Sequence, residues 1–188
     1  KTPSWFPDGK RIVYGKKVKK FLRSEISLYW VNIHSKQSKR LMPDYSKIHA
    51  IPDVSPTSQL ITFTGKKLRG WDVAMYTKQN KEVKFLENTG GSCRARFSNS
   101  GEKLAYVSSG DIWIMDPDGS HKMRMTKRDE THDYFPSWSP DDKWIVFNSS
   151  HQNSHDGDWK LFLLNVNNKK CVLLFDSPGN DIFPDWHK

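Results

Sequence analysis

The side chains with the most chemical potential gather late in the chain: His132, His151, His155 and His187, interleaved with Asp133, Asp156 and Asp158. Imidazoles and carboxylates are the ligands of zinc and related metals, which need three or four donors brought together at regular spacings. These spacings match no ligand pattern, and the residues sit in polar stretches that read as loops. They are expected to be solvated loop side chains, with no metal and no cofactor. The segment "DPDGS" at 116–120 sets aspartates at alternate positions as calcium loops do, without the further oxygen donors or the distal Glu. A hairpin turn is the expected structure there, because Gly119 supplies the positive φ that such turns ask for. There is no Gly-x-Ser-x-Gly elbow, no His-Glu-x-x-His and no phosphate-binding glycine loop. The chain therefore reads as non-catalytic.

Charge is the second feature with chemical meaning. Residues 1–50 carry 12 basic and 3 acidic side chains, and residues 51–188 carry 18 of each, so the net charge of +9 comes from the first part of the chain. The stretch "GKRIVYGKKVKKFLR" places Lys16, Lys17, Lys19, Lys20 and Arg23 close together. Such a run is either a solvated face or a docking patch for an acidic partner, an anionic glycan or lipid head groups, with an attraction that weakens as salt rises. Nucleic acid is the less favoured partner, since no recognised binding module accompanies the charge.

The remaining bulk features narrow the class. A chain of 188 residues with 36% hydrophobic and 13% aromatic content has enough apolar surface to build a core. No apolar run approaches the eighteen or so residues of a membrane helix. Cys93 and Cys171 have no CxxC spacing and no grouped histidines, which argues against a zinc site or a disulfide scaffold. They are expected to remain unbonded.

What must position these residues is a repeat. "PSWFPDGKRIVY", "PDVSPTSQLITF", "ARFSNSGEKLAYV" and "FPSWSPDDKWIVF" share one layout, and the chain stops on "FPDWHK". Taking Trp5, Val54, Phe97, Trp138 and Trp186 as equivalent, the intervals are 49, 43, 41 and 48 residues. Periods of this length mean stacked supersecondary units. The units run approximately over 1–49, 50–92, 93–133 and 134–181, with 182–188 opening another. Within each, a short extended run, a Ser-Pro-Asp type turn, an apolar run of period two and two further runs joined by a hairpin predict four strands. Helical periodicity is absent. The recurrent Trp and Asp of the motif are expected to be scaffold, the Asp at a turn and the Trp filling space between units.

"PSWSPDDKWIVF", "PSWFPDGKRIVY" and "DIWIMDPDGS" resemble the repeat of the TolB-like β-propeller family. The second unit departs from the pattern, lacking its Trp and its Asp-Gly. The resemblance implies an all-β propeller of four-stranded blades, about four blades plus the first strand of a fifth. Because family members usually have six or more blades, it also implies a partial or truncated ring. The implied role is a non-catalytic scaffold for protein–protein interaction, periplasmic or otherwise extracytoplasmic, in the bacterial cell envelope. Two alternatives stay open: the gating propeller of a prolyl-oligopeptidase-like serine hydrolase, and a polysaccharide-active propeller resembling oligogalacturonate lyase. In the repeat alignment, His49, Ser92, Asp133 and Asp181 stand five residues before the reference positions, at the start of the innermost strand. Strand alternation adds Asp53, Arg96, Ser137 and Asp185 to the same face. The expectation is a polar channel mouth suited to a peptide segment or a hydrated cation.

Overall fold

Each unit of the repeat becomes one antiparallel sheet because its apolar runs alternate with period two and are separated by residues that turn the chain. In the computed structural model, which describes residues 3–19, 24–42, 48–127, 132–150 and 158–186, four sheets are formed. The first contains β1 (Ser4–Trp5), β2 (Arg11–Lys19), β3 (Ser24–Asn32) and β4 (Ser38–Arg40). The second contains β5 (Ile48–Val54), β6 (Leu60–Lys67), β7 (Gly70–Thr77) and β8 (Glu82–Phe85). The third contains β9 (Ser92–Phe97), β10 (Leu104–Ser108), β11 (Asp111–Met115) and β12 (Met123–Arg124). The fourth contains β13 (His132–Trp138), β14 (Trp144–Ser150), β15 (Trp159–Asn165) and β16 (Cys171–Phe175). In every sheet spatial order follows chain order. No helix occurs among the described residues, so none is long and apolar enough to cross a membrane.

The chain divides into two compact units, Lys1–Ala95 and Arg96–Lys188. In the first, Phe6, Val13 and Leu28 of the first sheet meet Ile48, Val54, Ile61, Phe63 and Tyr76 of the second in one buried cluster. In the second, Tyr106, Ile112, Met115, Ile145, Phe147 and Leu164 are buried, and β10 and β11 lie against β13. Side chains of this kind each contribute roughly 1.5–3 kcal/mol when fully removed from water. Trp138 shows how a reference residue fits between sheets: it is 5% exposed and its Nε1–H donates to the Arg96 carbonyl at 3.1 Å. Trp5, at the equivalent place, is 55% exposed.

The repeated turn is built from the same bonds in all four sheets. The amides of Phe6, Ser55, Ser98 and Ser139 donate to the carbonyls of Arg11, Leu60, Lys103 and Trp144, each at 2.9 Å. Inside that loop, Gly9, Ser58, Gly101 and Asp142 take φ of 62, 60, 79 and 57° and donate their amides back to the loop's first residue. The serine hydroxyl closes the turn, accepting from Leu60, Lys103 and Trp144 amides through Ser55, Ser98 and Ser139 at 2.9–3.1 Å. Phe6 stands in the serine's place in the first sheet, and there the Asp8 carboxylate accepts from the Lys10 and Arg11 amides and pairs with the Arg11 guanidinium at 2.6 Å. Partial burial pushes the Asp8 carboxyl up, but the Lys10 amide and the Arg11 side chain outweigh it and hold it below its usual value. The second sheet, which lacks the sequence motif, forms the turn with Ser58 at the left-handed position instead of Gly.

Between β11 and β12, Gly119 takes φ 90° and donates to the Asp116 carbonyl at 2.9 Å, while Ser120 donates its amide to Asp118 at 2.8 Å. This is the hairpin that Asp118-Gly119 predicts. Cys93 in β9 and Cys171 in β16 are both free thiols.

Candidate functional site

The innermost strands carry a feature that their sequence hides. Ile51 in β5, Arg94 in β9 and Phe135 in β13, each three residues before a reference position, have φ between 55 and 60°, and Phe183, at the same repeat position in the strandless segment after β16, has φ 60°. Bulky residues rarely adopt this left-handed conformation, so the surrounding sheet must enforce it. The ladder slips at these points, between Ala50 and Asp53 in β5 and between Tyr134 and Ser137 in β13. An extra residue in a strand re-aims everything before it. The strict alternation expected to place residues one, three and five before the reference on one face therefore does not hold.

Of the four residues expected at a channel mouth, His49, Ser92 and Asp133 lie at the starts of β5, β9 and β13, and Asp181 lies in the segment after β16, which forms no strand. His49 lies in β5, and its side chain is outside the described residues. Ser92 is fully buried; its hydroxyl donates to Asp72 at 2.9 Å and accepts from the Val73 amide at 3.0 Å. Asp133 is likewise fully buried, and its amide donates to the Gly110 carbonyl at 2.7 Å. Asp181 is half-buried, with its amide on the Trp159 carbonyl and its carboxylate accepting from the Ser177 amide and hydroxyl. The residues one before the reference pair up: Ser4 donates to Asp53 at 3.0 Å, and Ser137 to Asp185 at 2.8 Å.

In the second unit this strand-start region is lined with rings that sequence reasoning did not single out. Phe135 and Phe183 meet edge to face at 4.4 Å between centroids, Tyr134 and Trp159 at 5.6 Å, and His132 lies over Tyr134 at 6.2 Å. Phe183 is 59% and Ile182 45% exposed. The clue in the sequence was the "YFP" and "IFP" that precede the two reference tryptophans, which read only as extended backbone before proline.

In the first unit the basic stretch is the strand β2 itself. Lys16, Lys17 and Lys19 are exposed along it, opposite Ser27, Ile26 and Ser24 of β3, and the Lys16 ammonium lies 5.1 Å from the Tyr29 ring centre. Lys20 and Arg23 lie outside the described residues. So do His151, His155, Asp156 and His187. Among the described residues no group of three or more His, Cys, Asp or Glu side chains is placed to hold a metal ion.

These sheets and their register define a β-propeller fold of TolB type, and comparison with known proteins agrees. A TolB from Acinetobacter baumannii superposes with a TM-score of 0.76 at 20% identity, over 94% of this chain and 43% of that one. A TolB-like protein from Agrobacterium tumefaciens superposes with a TM-score of 0.77 at 18% identity, over 98% of this chain and 84% of that one. Propellers of enzymes align less well, an oligogalacturonate lyase from Vibrio parahaemolyticus at 0.66 with 10% identity, covering 92% of this chain and 52% of that one. In sequence, the chain is 26% identical over 199 residues to an uncharacterized protein of Agrobacterium fabrum. That alignment takes in 97% of the chain, which spans 60% of the relative's length. No family model matches.

Proposed function

We propose that the chain is a non-catalytic propeller scaffold that binds protein partners in the bacterial cell envelope. The observation that carries this reading is the ring cluster of Tyr134, Phe135, Trp159 and Phe183, in which Phe183 is exposed and the other three are half-buried. Aromatic side chains give large contact area at little cost in rotamer entropy, and they are enriched at protein interfaces. The better superposition on the two TolB structures than on the lyase supports the same reading. A photo-crosslinking residue at Phe183, with Leu68 in the β6–β7 turn as the control position, tests it in living cells. A discrete protein adduct from position 183 and none from position 68 is expected. Turnover of anionic oligosaccharides or of peptide esters by the purified protein, with no adduct at 183, would sink the scaffold reading.

The β2 ribbon is the second contact surface in this reading, docking an anionic partner. Heparin is a suitable polyanion probe. Replacing Lys16, Lys17 and Lys19 together by Glu is expected to bring elution from heparin to markedly lower salt and to flatten the salt dependence. Unchanged elution would reduce the run to a solvated face.

A further inference from the structure

At each junction between consecutive sheets two slots face one another: the start of a third strand and the start of the following first strand. The register that aligns Tyr76, Met115 and Leu164 opposite Ile61, Leu104 and Ile145 puts Asp72, Asp111 and Lys160 in equivalent third-strand slots. Ser92 in β9 and Asp133 in β13 fill the first-strand slots that follow the first two, and Asp181, which lies after β16 and donates its amide to Trp159, holds the same repeat position after the third. The slots are complementary in two of these cases. Ser92 donates to the Asp72 carboxylate at 2.9 Å, and Lys160 and Asp181 carry opposite charges. Between the third and fourth sheets both slots hold carboxylates.

Asp111 is 6% exposed and Asp133 fully buried. Arg124 supplies one positive charge, its Nη2 lying 2.6 Å from Asp111 Oδ2. Burial raises the Asp111 carboxyl and the Asp133 charge raises it further, against the pull of Arg124, so the two acids feel one another. Independently of the acids, the Ser149 hydroxyl is fully buried and has no hydrogen-bond partner. Ser149 is the residue directly across the ladder from Asp133, so both side chains leave the same face of the sheet. A buried hydroxyl without a partner costs about 1–3 kcal/mol and calls for an explanation.

We propose that Asp111, Asp133 and Ser149 hold a hard divalent cation, Ca²⁺ or Mg²⁺, at the seam between the third and fourth sheets. Carboxylate and hydroxyl oxygens are the donors such ions select, and sites with few protein ligands fill their remaining positions with water. A cation does at this junction what the Ser92 hydroxyl does for Asp72: it stands between two acceptors and gives the idle hydroxyl oxygen something to coordinate. The ion is a clamp on the second unit and needs no part in partner binding.

The test uses the full chain, stripped with chelator and then titrated with CaCl₂ or MgCl₂ at constant ionic strength, with melting temperature and Tb³⁺ luminescence as readouts. A saturable rise in melting temperature, and Tb³⁺ emission displaced by whichever ion binds, are expected. Ser149→Ala should weaken the apparent affinity by about tenfold or more. Asp133→Ser, which copies the Asp72–Ser92 junction, should abolish the response while melting no lower than the stripped parent. Equal melting of stripped and loaded parent without Tb³⁺ emission overturns the proposal. A full response in Asp133→Ser, or unaltered affinity in Ser149→Ala, overturns it as well.

Discussion

Asp72→Ala is expected to destabilise the first unit by about 3–5 kcal/mol, more than any other polar substitution in that unit. The carboxylate is 1% exposed at the start of β7. It accepts from the Thr89 amide and hydroxyl at 3.2 and 3.1 Å, the Gly90 amide at 3.0 Å and the Ser92 hydroxyl at 2.9 Å. Truncation leaves all of these donors facing a small void, and orphaned buried donors cost more than the net value of the bonds they lose. The chain there has no room to collapse onto the gap, since a Cβ at Gly70 would stand 2.2 Å from the Gly90 oxygen and one at Gly90 2.4 Å from the Arg69 oxygen. Asp72→Asn separates geometry from chemistry: its oxygen keeps two or three of the bonds while its NH₂ faces a donor, and an intermediate loss of about 2 kcal/mol is expected. Urea unfolding gives the totals, and hydrogen exchange at Val73, whose amide donates to Ser92, reports the local opening. A loss below about 1 kcal/mol for the alanine variant would mean that the carboxylate is not the hub of this junction.

Much of the fold was legible because its signals are local. A left-handed residue in a tight turn is announced by Gly9, Gly101 and Gly119, and a half-buried strand by its alternation. The second unit was harder to read, since Ser58 does a glycine's work with no sequence sign beyond its place in the repeat. The left-handed residues of the innermost strands left no sign either. Ile51, Arg94 and Phe135 are residues that the local chain would never choose for that backbone, so only the assembled sheets impose it. That one slip changes which side chains share a face, and it is why simple alternation does not join Asp53, Arg96, Ser137 and Asp185 to the residues five before the reference, of which Ser92 and Asp133 are fully buried. Asp72 and Asp111 escaped notice for a related reason. Each stands near the start of an otherwise apolar strand, where an acid reads as the edge of a loop, and its partners lie far along the chain, Thr89, Gly90 and Ser92 for Asp72 and Arg124 for Asp111.

Asp142 carries the second large effect. Asp142→Gly is expected to cost about 2 kcal/mol and Asp142→Ala about 3 kcal/mol, the order set by backbone conformation. The residue holds φ 57°, where its equivalents are Gly9 and Gly101, so glycine keeps the turn and loses only the side chain, whereas alanine adds left-handed strain. The carboxylate ties the turn of the fourth sheet to that of the third, accepting from the Asn99 amide at 2.7 Å, the Asn99 side chain at 3.1 Å and the Ser100 amide at 2.8 Å. Burial pushes this carboxyl up, but the Ser100 and Asn99 donors outweigh it and leave it below its usual value. A carboxyl lowered on folding contributes stability that is fully present above its unfolded value, about 3.9, and lost as pH falls through the folded one. The gap between parent and Asp142→Gly should therefore be constant from neutral pH to about 5 and should narrow below about 4. Urea midpoints measured across that range check it. A gap that stays constant into acid would show that the amides of Asn99 and Ser100 gain nothing from the charge, and that Asp142 is held there for its backbone alone.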